Sequence, residues 1–196
     1  MTAAASGIER VHRALQQLVG MELSVANRAA DMLDLGFGRL VPVVIRYGPH
    51  KGETGTVAEL ALHVQCPWRV EGPDGAIVTG RGDLWAPVEP LVGEAFVAWD
   101  WERDGNLQDR RMAEWLDLPD LPRRDPGAGR PRRRLTVLAA RATPFEGAEI
   151  EFSDGCRLVL FPFESRGEAW RMFRVDRPED EPHFVVGGGR FGADRD

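Results

Sequence analysis

The sequence contains no apolar run that approaches the roughly 20 residues needed for a membrane-spanning helix. Its first residues also lack a basic stretch followed by an apolar one, so they predict no secretory signal. Only two cysteines are present, Cys66 and Cys156, and their spacing suggests no disulfide framework. These absences exclude a disulfide-rich secreted class, and we expect a cytoplasmic protein with no membrane partner.

Lysine is almost absent, because Lys51 is one of the 25 basic residues and arginine supplies the rest. Together with many alanines, glycines and prolines, this bias is typical of a GC-rich genome, such as an actinobacterial one. The formal net charge of −6 argues against nucleic-acid binding and is compatible with a basic protein partner. Hydrophobic residues at 43% and charged residues at 29% are ordinary for a globular chain, so one domain over 1–196 is expected.

Apolar spacing and turn residues predict an α+β fold that is predominantly antiparallel β-sheet. Apolar residues three and four positions apart predict an N-terminal amphipathic helix over 7–19, ended by Gly20. A short middle helix is expected over 107–116, with Asn106 or Asp104 as its cap. Alternating apolar residues and turn signals predict strands within 21–38, 39–48, 57–70, 76–80, 135–144, 148–163, 168–175 and 183–187.

Two segments of the chain repeat one order of features. Each has an apolar alternating strand, a Trp-Arg pair, a turn rich in proline and acidic residues, and a β-branched pair followed by glycine. The pairs are Trp68-Arg69 and Trp170-Arg171. Because adjacent residues of a strand face opposite sides, we predict that both tryptophans are buried and both arginines lie on the opposite face.

We interpret this repetition as a diverged internal duplication, so that the sheet is built from two related hairpin units. The predicted halves are 21–116 and 134–190, joined by a loop or linker over 117–133 that is rich in arginine, proline and glycine. Two unrelated hairpins in a glycine-rich chain are the alternative interpretation.

No catalytic or cofactor signature is present in the sequence, and no cofactor or metal is predicted. His63 and Cys66 lie three residues apart on a predicted strand, and no second pair completes a four-ligand zinc set. A core cysteine and a half-buried histidine are the favoured interpretation. The acidic segment 100–105 resembles the start of a calcium loop, but Arg111 stands where the bidentate glutamate is required.

Arginines of the predicted loop oppose the overall charge, and they are candidates for binding an acidic partner or a phosphate. The alternative is that they pair with neighbouring aspartates and glutamates. Trp85, Trp99 and Trp101 either pin loops to the core or, if exposed, form a binding patch. The predicted partner-binding residues are Arg69, Arg171, Arg123, Arg124, Arg132 and Arg133.

One pattern also supports a family resemblance. It runs apolar-x-Phe-x-Asp-Gly-x-x-Leu, then a strand and Trp-Arg, as in IEFSDGCRLVLF and EAWRMF, with the variant LALHVQCPWRV in the first half. These segments, within 57–83 and 148–187, resemble uncharacterised, largely actinobacterial families of unknown function. Some similar α+β families are interpreted as immunity proteins of polymorphic toxin systems. The resemblance implies a non-enzymatic binding role and carries over no functional residue.

Three functional hypotheses follow from these patterns. The first is a non-catalytic cytoplasmic protein that binds another protein, as an immunity-type or other bacterial conflict protein does. The second is an enzyme or small-ligand-binding protein whose site is assembled from distant residues such as His63, Asp83 and Arg171. The third is a structural or scaffold homodimer, or another homo-oligomer, that associates through sheet edges.

Overall fold

The computed structural model describes residues 7–45, 51–102, 105–123, 129–175, 183–187 and 190–191 of the chain. This part forms three α-helices, which are α1 (Gly7–Leu15), α2 (Glu94–Ala98) and α3 (Leu107–Leu116). Its strands are β1 (Leu23–Ala29), β2 (Met32–Val44), β3 (Thr54–Val64), β4 (Trp68–Glu71), β5 (Ile77–Gly80), β6 (Val137–Ala142), β7 (Ala148–Phe152), β8 (Arg157–Leu160), β9 (Trp170–Arg174), β10 (Phe184–Gly187) and β11 (Arg190–Phe191).

The strands form two sheets in which every neighbouring pair is antiparallel. A six-stranded sheet has the order β1-β2-β3-β9-β10-β11, and a five-stranded sheet has the order β5-β4-β8-β7-β6. Together with the N-terminal helix α1 and the middle helix α3, they confirm the predicted α+β class.

Each half of the chain contributes strands to both sheets. The first half supplies the meander β1-β2-β3 to the six-stranded sheet and the hairpin β4-β5 to the five-stranded sheet. The second half does the reverse, with the meander β6-β7-β8 in the five-stranded sheet and the hairpin β9-β10 in the other. The hairpins that carry the Trp-Arg pairs therefore occupy equivalent places, while a common origin by duplication stays a prediction.

The two crossings between the sheets lie side by side and have matching geometry. Trp170 is the register partner of Val64 at the end of β3, and Trp68 is the partner of Leu160 at the end of β8. In each crossing, the residue after the meander donates its N–H to the residue before the other half's tryptophan. Gln65 N donates to Ala169 O at 2.9 Å, and Phe161 N donates to Pro67 O at 2.8 Å.

The prediction of one continuous strand over 57–70 was wrong, because the chain leaves the six-stranded sheet after Val64. Gln65 and Cys66 both donate their N–H groups to Ala169 O, so neither residue continues the regular hydrogen bonding between β3 and β9. Pro67 has no N–H to donate, and its ring fixes the backbone. Alternation of apolar residues continues through this break, and for that reason the sequence pattern does not reveal it.

Both tryptophans are buried as predicted, with exposed fractions of 3% for Trp68 and 0% for Trp170. The following arginines, Arg69 and Arg171, remain partly exposed on the opposite face. Both indoles belong to a single hydrophobic core that draws residues from the two sheets, α1 and α3. The core thus unites the two halves of the chain.

The predicted helices and hairpin turns are confirmed. Helix α1 continues as a 3₁₀ turn over Gln16–Leu18, and α3 has the predicted bounds, with the Asn106 side chain accepting from Asp109 N at 2.8 Å. The other predicted cap, Asp104, lies outside the described residues. Gly75 and Gly155 close the β4-β5 and β7-β8 turns with φ of 82° and 81°, a conformation that glycine adopts without strain.

Residues 117–123 and 129–133, the described part of the predicted linker, are fastened to the fold. Leu121 is fully buried, and the segment runs along the outer edge of β1. There Pro122 O accepts from Arg28 N at 3.0 Å and Gly129 O accepts from Ala26 N at 2.8 Å. The segment therefore occupies backbone donors that a sheet-edge contact between two copies would need.

Among the described residues, no helix is long and apolar enough to cross a membrane.

Candidate functional site

The segment from Val88 to Glu102 leaves the body of the protein as a loop that is closed at its base. Val88 N donates to Gly105 O at 3.1 Å, and Leu107 N donates to Ala86 O at 2.7 Å. These two hydrogen bonds hold the start and end of the excursion beside each other. We call residues 88–102 the acidic loop.

The returning limb of the acidic loop is tied to helix α3 and to the segment beyond it. Asn106 Nδ2 donates to Trp101 O at 3.1 Å, and Arg123 Nη1 donates to Glu102 O at 2.8 Å. The Trp101 ring lies 6.0 Å from the ring of Trp85, centroid to centroid. Arg81 in turn covers the Trp85 ring at 5.4 Å and pairs with Asp31. These contacts fix where the loop stands on the protein.

Helix α2 forms the tip of this loop and none of its residues is buried. Three large apolar side chains lie open to solvent, with exposed fractions of 82% for Val92, 53% for Phe96 and 84% for Val97. A five-residue helix gains little from its own hydrogen bonds, so an apolar helix of this length without a packed face lacks the usual source of stability. Clustered exposed apolar residues of this kind are typical of interaction sites.

The charges of the acidic loop all have one sign. Residues 88–102 contain Glu89, Glu94, Asp100 and Glu102 and no lysine or arginine. Glu89 and Glu94 are exposed and lie on either side of the exposed Val92. The loop therefore presents apolar side chains bordered by carboxylates.

The two arginines of the Trp-Arg pairs make ion pairs close to their own positions. Arg69 lies 2.6 Å from Glu71 and stacks over the Phe161 ring at 4.6 Å. Arg171 lies 2.7 Å from Glu168. They stand in different sheets, Arg69 in the five-stranded and Arg171 in the six-stranded one, so they do not share a strand ladder.

Two arginines of the predicted loop, Arg123 and Arg133, pair with carboxylates of the same molecule. Arg123 lies 3.5 Å from the buried Asp109, and Arg133 lies 3.7 Å from Asp154. Arg132 is exposed, and Arg124 lies outside the described residues. Arg123 and Arg133 thus pair with carboxylates, as the alternative interpretation had it, and the role of the loop arginines in partner binding stays a prediction.

The structure assembles only part of the predicted set His63, Asp83 and Arg171. His63 and Arg171 are register partners on β3 and β9. Asp83 follows β5 of the other sheet, where it accepts from Thr79 and from Gly80 N at 3.1 Å. Asp34 stands beside His63 instead, with 3.4 Å between Oδ1 and Nε2.

The two cysteines are buried free thiols, as predicted for Cys66. Burial raises the pKa of Cys66 to about 12, and burial together with the nearby Asp154 carboxylate raises the pKa of Cys156 to about 11. Both thiols therefore stay protonated at neutral pH, which makes them poor nucleophiles and poor metal ligands. Within the part of the chain that the structure describes, no group of three or more histidine, cysteine or acidic side chains could hold a metal ion.

No protein-family model, curated protein or solved structure matches the chain. The family resemblance inferred from the Trp-Arg segments accordingly stays a prediction.

Trp85, Trp99 and Trp101 stood out in the sequence, whereas the exposed apolar side chains of the acidic loop did not. Val92, Phe96 and Val97 look like ordinary core residues in a sequence, since exposure is decided by what the fold brings near them. A usable signal was present in the run from Val88 to Glu102, which combines apolar residues with four acids and no base.

Proposed function

We propose that the protein is a non-catalytic, cytoplasmic protein-binding protein whose acidic loop, residues 88–102, receives a basic and apolar segment of its partner. The observation that carries this proposal is the exposure of Val92, Phe96 and Val97 at the tip of a loop closed at its base.

The apolar side chains supply the driving force for association. Burying a large apolar side chain that was exposed contributes about 1.5–3 kcal/mol. Three side chains of this kind on one short loop can form the core of a small interface, in which a few residues carry most of the binding energy. The two ends of the loop are already joined and tied to α3, so ordering on binding is confined to the tip, where α2 gains the packed face that it lacks in the free protein.

The carboxylates determine which partner fits. Glu89 and Glu94 border the apolar tip and would meet the rim of a bound segment. Lysine or arginine at the rim accelerates encounter with such a surface, whereas acidic residues are repelled. A partner segment with two or three apolar side chains flanked by basic residues is therefore complementary to the acidic loop in shape and charge.

An immunity-type role is the specific form that the Trp-Arg resemblance implies. In that form the partner is a toxin encoded beside the gene for this protein, and the acidic loop covers a basic region of the toxin. The proposed chemistry of the partner is the same with or without this role.

The test compares three synthetic amphipathic peptides with identical apolar positions and with lysine, glutamine or glutamate at the polar positions. Calorimetric titration of the whole protein is expected to rank their affinities lysine, then glutamine, then glutamate, and to weaken for the lysine peptide as salt is raised. Products of the neighbouring genes are titrated in the same way.

Equal affinity for the lysine and glutamate peptides would show that the carboxylates of the acidic loop do not select a basic partner. Absence of binding by all three peptides and by every neighbour-encoded protein would overturn the proposal as a whole.

A further inference from the structure

The outer face of the six-stranded sheet carries a polar row that crosses four strands. Asn27 is the register partner of Asp34, Asp34 of His63, and His63 of Arg171. Register partners on neighbouring strands project to the same face, with Cβ atoms about 4.5–5.5 Å apart. Four residues from 27 to 171 of the chain are thus aligned side by side.

A groove of about 440 Å³ opens next to this row. Its volume lies within the roughly 300–1,000 Å³ that small-molecule sites occupy. The neighbouring row, Val25, Gly36, Ala61 and Phe173, consists of register partners and lines the groove. Small residues in the middle of this row leave the space, and larger apolar residues form its sides.

Gly36 allows two strands to pack closely in the floor of the groove, which this row forms. A Cβ atom at position 36 would lie 2.6 Å from Ala58 Cβ and 3.1 Å from Val25 Cβ. Neighbouring strands therefore approach at this point more closely than a side chain would allow.

Asn27 provides an unused hydrogen-bond donor in the wall of the groove. The residue is 2% exposed, and its Nδ2 has no hydrogen-bond partner among the described residues. A buried amide donor without a partner costs about 1–3 kcal/mol, so native structures rarely leave one. A ligand with an acceptor atom at this place would remove that cost.

Asp34, beside Asn27, provides a hydrogen-bond acceptor for the head group of a ligand. Its carboxylate accepts hydrogen bonds, and its contact with His63 Nε2 at 3.4 Å is longer than a well-formed hydrogen bond. Phe173 closes the far side of His63 edge-on at 4.9 Å and stacks on His183 at 4.2 Å. The head group of a ligand would therefore meet one donor and one acceptor next to apolar walls.

We infer that this groove binds a small uncharged molecule with an apolar body and a head group that both accepts and donates hydrogen bonds, as a carboxamide or an alcohol does. The head group accepts from Asn27 Nδ2 and donates to the Asp34 carboxylate. A carboxylate head group has no hydrogen to donate to Asp34, and an ammonium group has no lone pair to accept from Asn27. The apolar body lies over Gly36 and Ala61.

The experiment titrates the whole protein with four probes that share one alkyl chain: octanamide, octanol, octanoate and octylamine. Octanamide is expected to bind at least about tenfold more tightly than octanoate or octylamine, which is the size of effect that one buried hydrogen bond produces. Asn27→Ala is expected to lower octanamide affinity about tenfold and to leave the weak binding of octylamine unchanged, because an ammonium group accepts no hydrogen bond from Asn27.

Ala61→Leu fills the floor and is expected to abolish binding of all four probes, and Ala29→Leu serves the same purpose if Ala61→Leu does not fold. The inference is overturned if octanamide binds no more tightly than the charged probes, if Asn27→Ala leaves its affinity unchanged, or if no probe binds the wild-type protein.

Discussion

Arg28 and Asp109 form a buried bidentate ion pair between β1 and α3 although 81 residues separate them in the chain. Arg28 Nε and Nη2 donate to the two carboxylate oxygens at 2.8 and 2.7 Å, and only 1% and 3% of the side chains are exposed. Asn106, the cap of α3, donates to the same carboxylate at 2.8 Å. The pair fixes the helix, and with it the base of the acidic loop, against the six-stranded sheet.

Removing one partner of this pair is expected to be far worse than removing both. Asp109→Ala leaves a buried, uncompensated guanidinium and should lower the free energy of unfolding by about 3–5 kcal/mol. The double variant Arg28→Met with Asp109→Leu should lose clearly less, because no charge stays buried. Urea denaturation measures both. Equal losses for the single and double variants would show that the charge itself is not what stabilises this contact.

The two tryptophans of the Trp-Arg pairs are expected to differ in their response to one substitution. Trp170 Nε1 donates to Glu146 O at 3.0 Å, whereas Trp68 Nε1 has no partner among the described residues. Replacing either with phenylalanine removes a similar volume, so each serves as the control for the other. Trp170→Phe should cost at least about 1 kcal/mol more than Trp68→Phe, which is the typical contribution of a hydrogen bond.

Thermal and urea unfolding of the two variants give this difference. A larger loss of stability for Trp68→Phe would mean that the packing of Trp68 contributes more than the hydrogen bond of Trp170.

The buried thiols predict a loss of stability in alkaline solution. Their native pKa values of about 12 for Cys66 and 11 for Cys156 lie above the ordinary value of 9.0. As the pH rises above 9, the unfolded chain releases these protons first, so the unfolded state becomes favoured. Stability should therefore be constant up to about pH 9 and fall above it, on the order of 1 kcal/mol for Cys66 by pH 10.

Unfolding of the wild-type protein and of Cys66→Ser between pH 8 and pH 10.5 measures this effect, which the substitution should reduce. A thiolate-specific reagent should label the native protein slowly at pH 8 and the urea-unfolded protein quickly. Rapid labelling of both thiols in the native protein would contradict their burial.

The hydrogen bonds of Glu71 lead us to expect a loss of stability in acidic solution. It accepts hydrogen bonds from Arg157 and from Arg69, and these bonds, first of all that of Arg157, lower the pKa of its carboxyl below the ordinary value of 4.5. The stabilisation is therefore complete above the ordinary value and is lost as the pH falls below it. Glu71→Gln should destabilise the protein at pH 7 and have less effect at pH 3.5.

Glu114→Gln is the matched control, because Glu114 pairs with Arg110 on the exposed surface of α3. It should change stability by less than about 0.5 kcal/mol at either pH. If both variants behave alike, the hydrogen bonds from Arg157 and Arg69 to Glu71 do not stabilise the native state in this way.

Local rules were sufficient to predict several elements of this fold. Asn106 followed by amphipathic spacing predicted the bounds of α3, and an Asp-Gly pair predicted the β7-β8 turn at Gly155. Each of these signals concerns residues within one helix or one turn, where backbone geometry and hydrogen bonding are decided by near neighbours.

Relationships between distant residues were beyond these rules. Alternation of apolar residues does not say which strands pair, so neither the break after Val64 nor the alignment of Asn27, Asp34 and His63 could be read from it. Helix α2 was missed because five residues are too few to show a helical period. Its exposure is likewise a property of the assembled fold.

The position of the binding surface is tested most directly by substituting the tip of the acidic loop. The triple variant Val92→Ser, Phe96→Ser and Val97→Ser is compared with Phe145→Asn, in which a phenylalanine that is 87% exposed is removed from the far edge of the five-stranded sheet. Asparagine suits the positive φ of 62° at that position. Both proteins are titrated with the lysine-bearing amphipathic peptide.

The account predicts that the triple variant loses affinity on the order of a hundredfold while its melting temperature is unchanged, since none of the three side chains is packed in the core. Phe145→Asn should bind as the wild-type protein does. Binding by the triple variant with wild-type affinity would contradict the central claim, because the peptide would then be held by a surface other than the acidic loop.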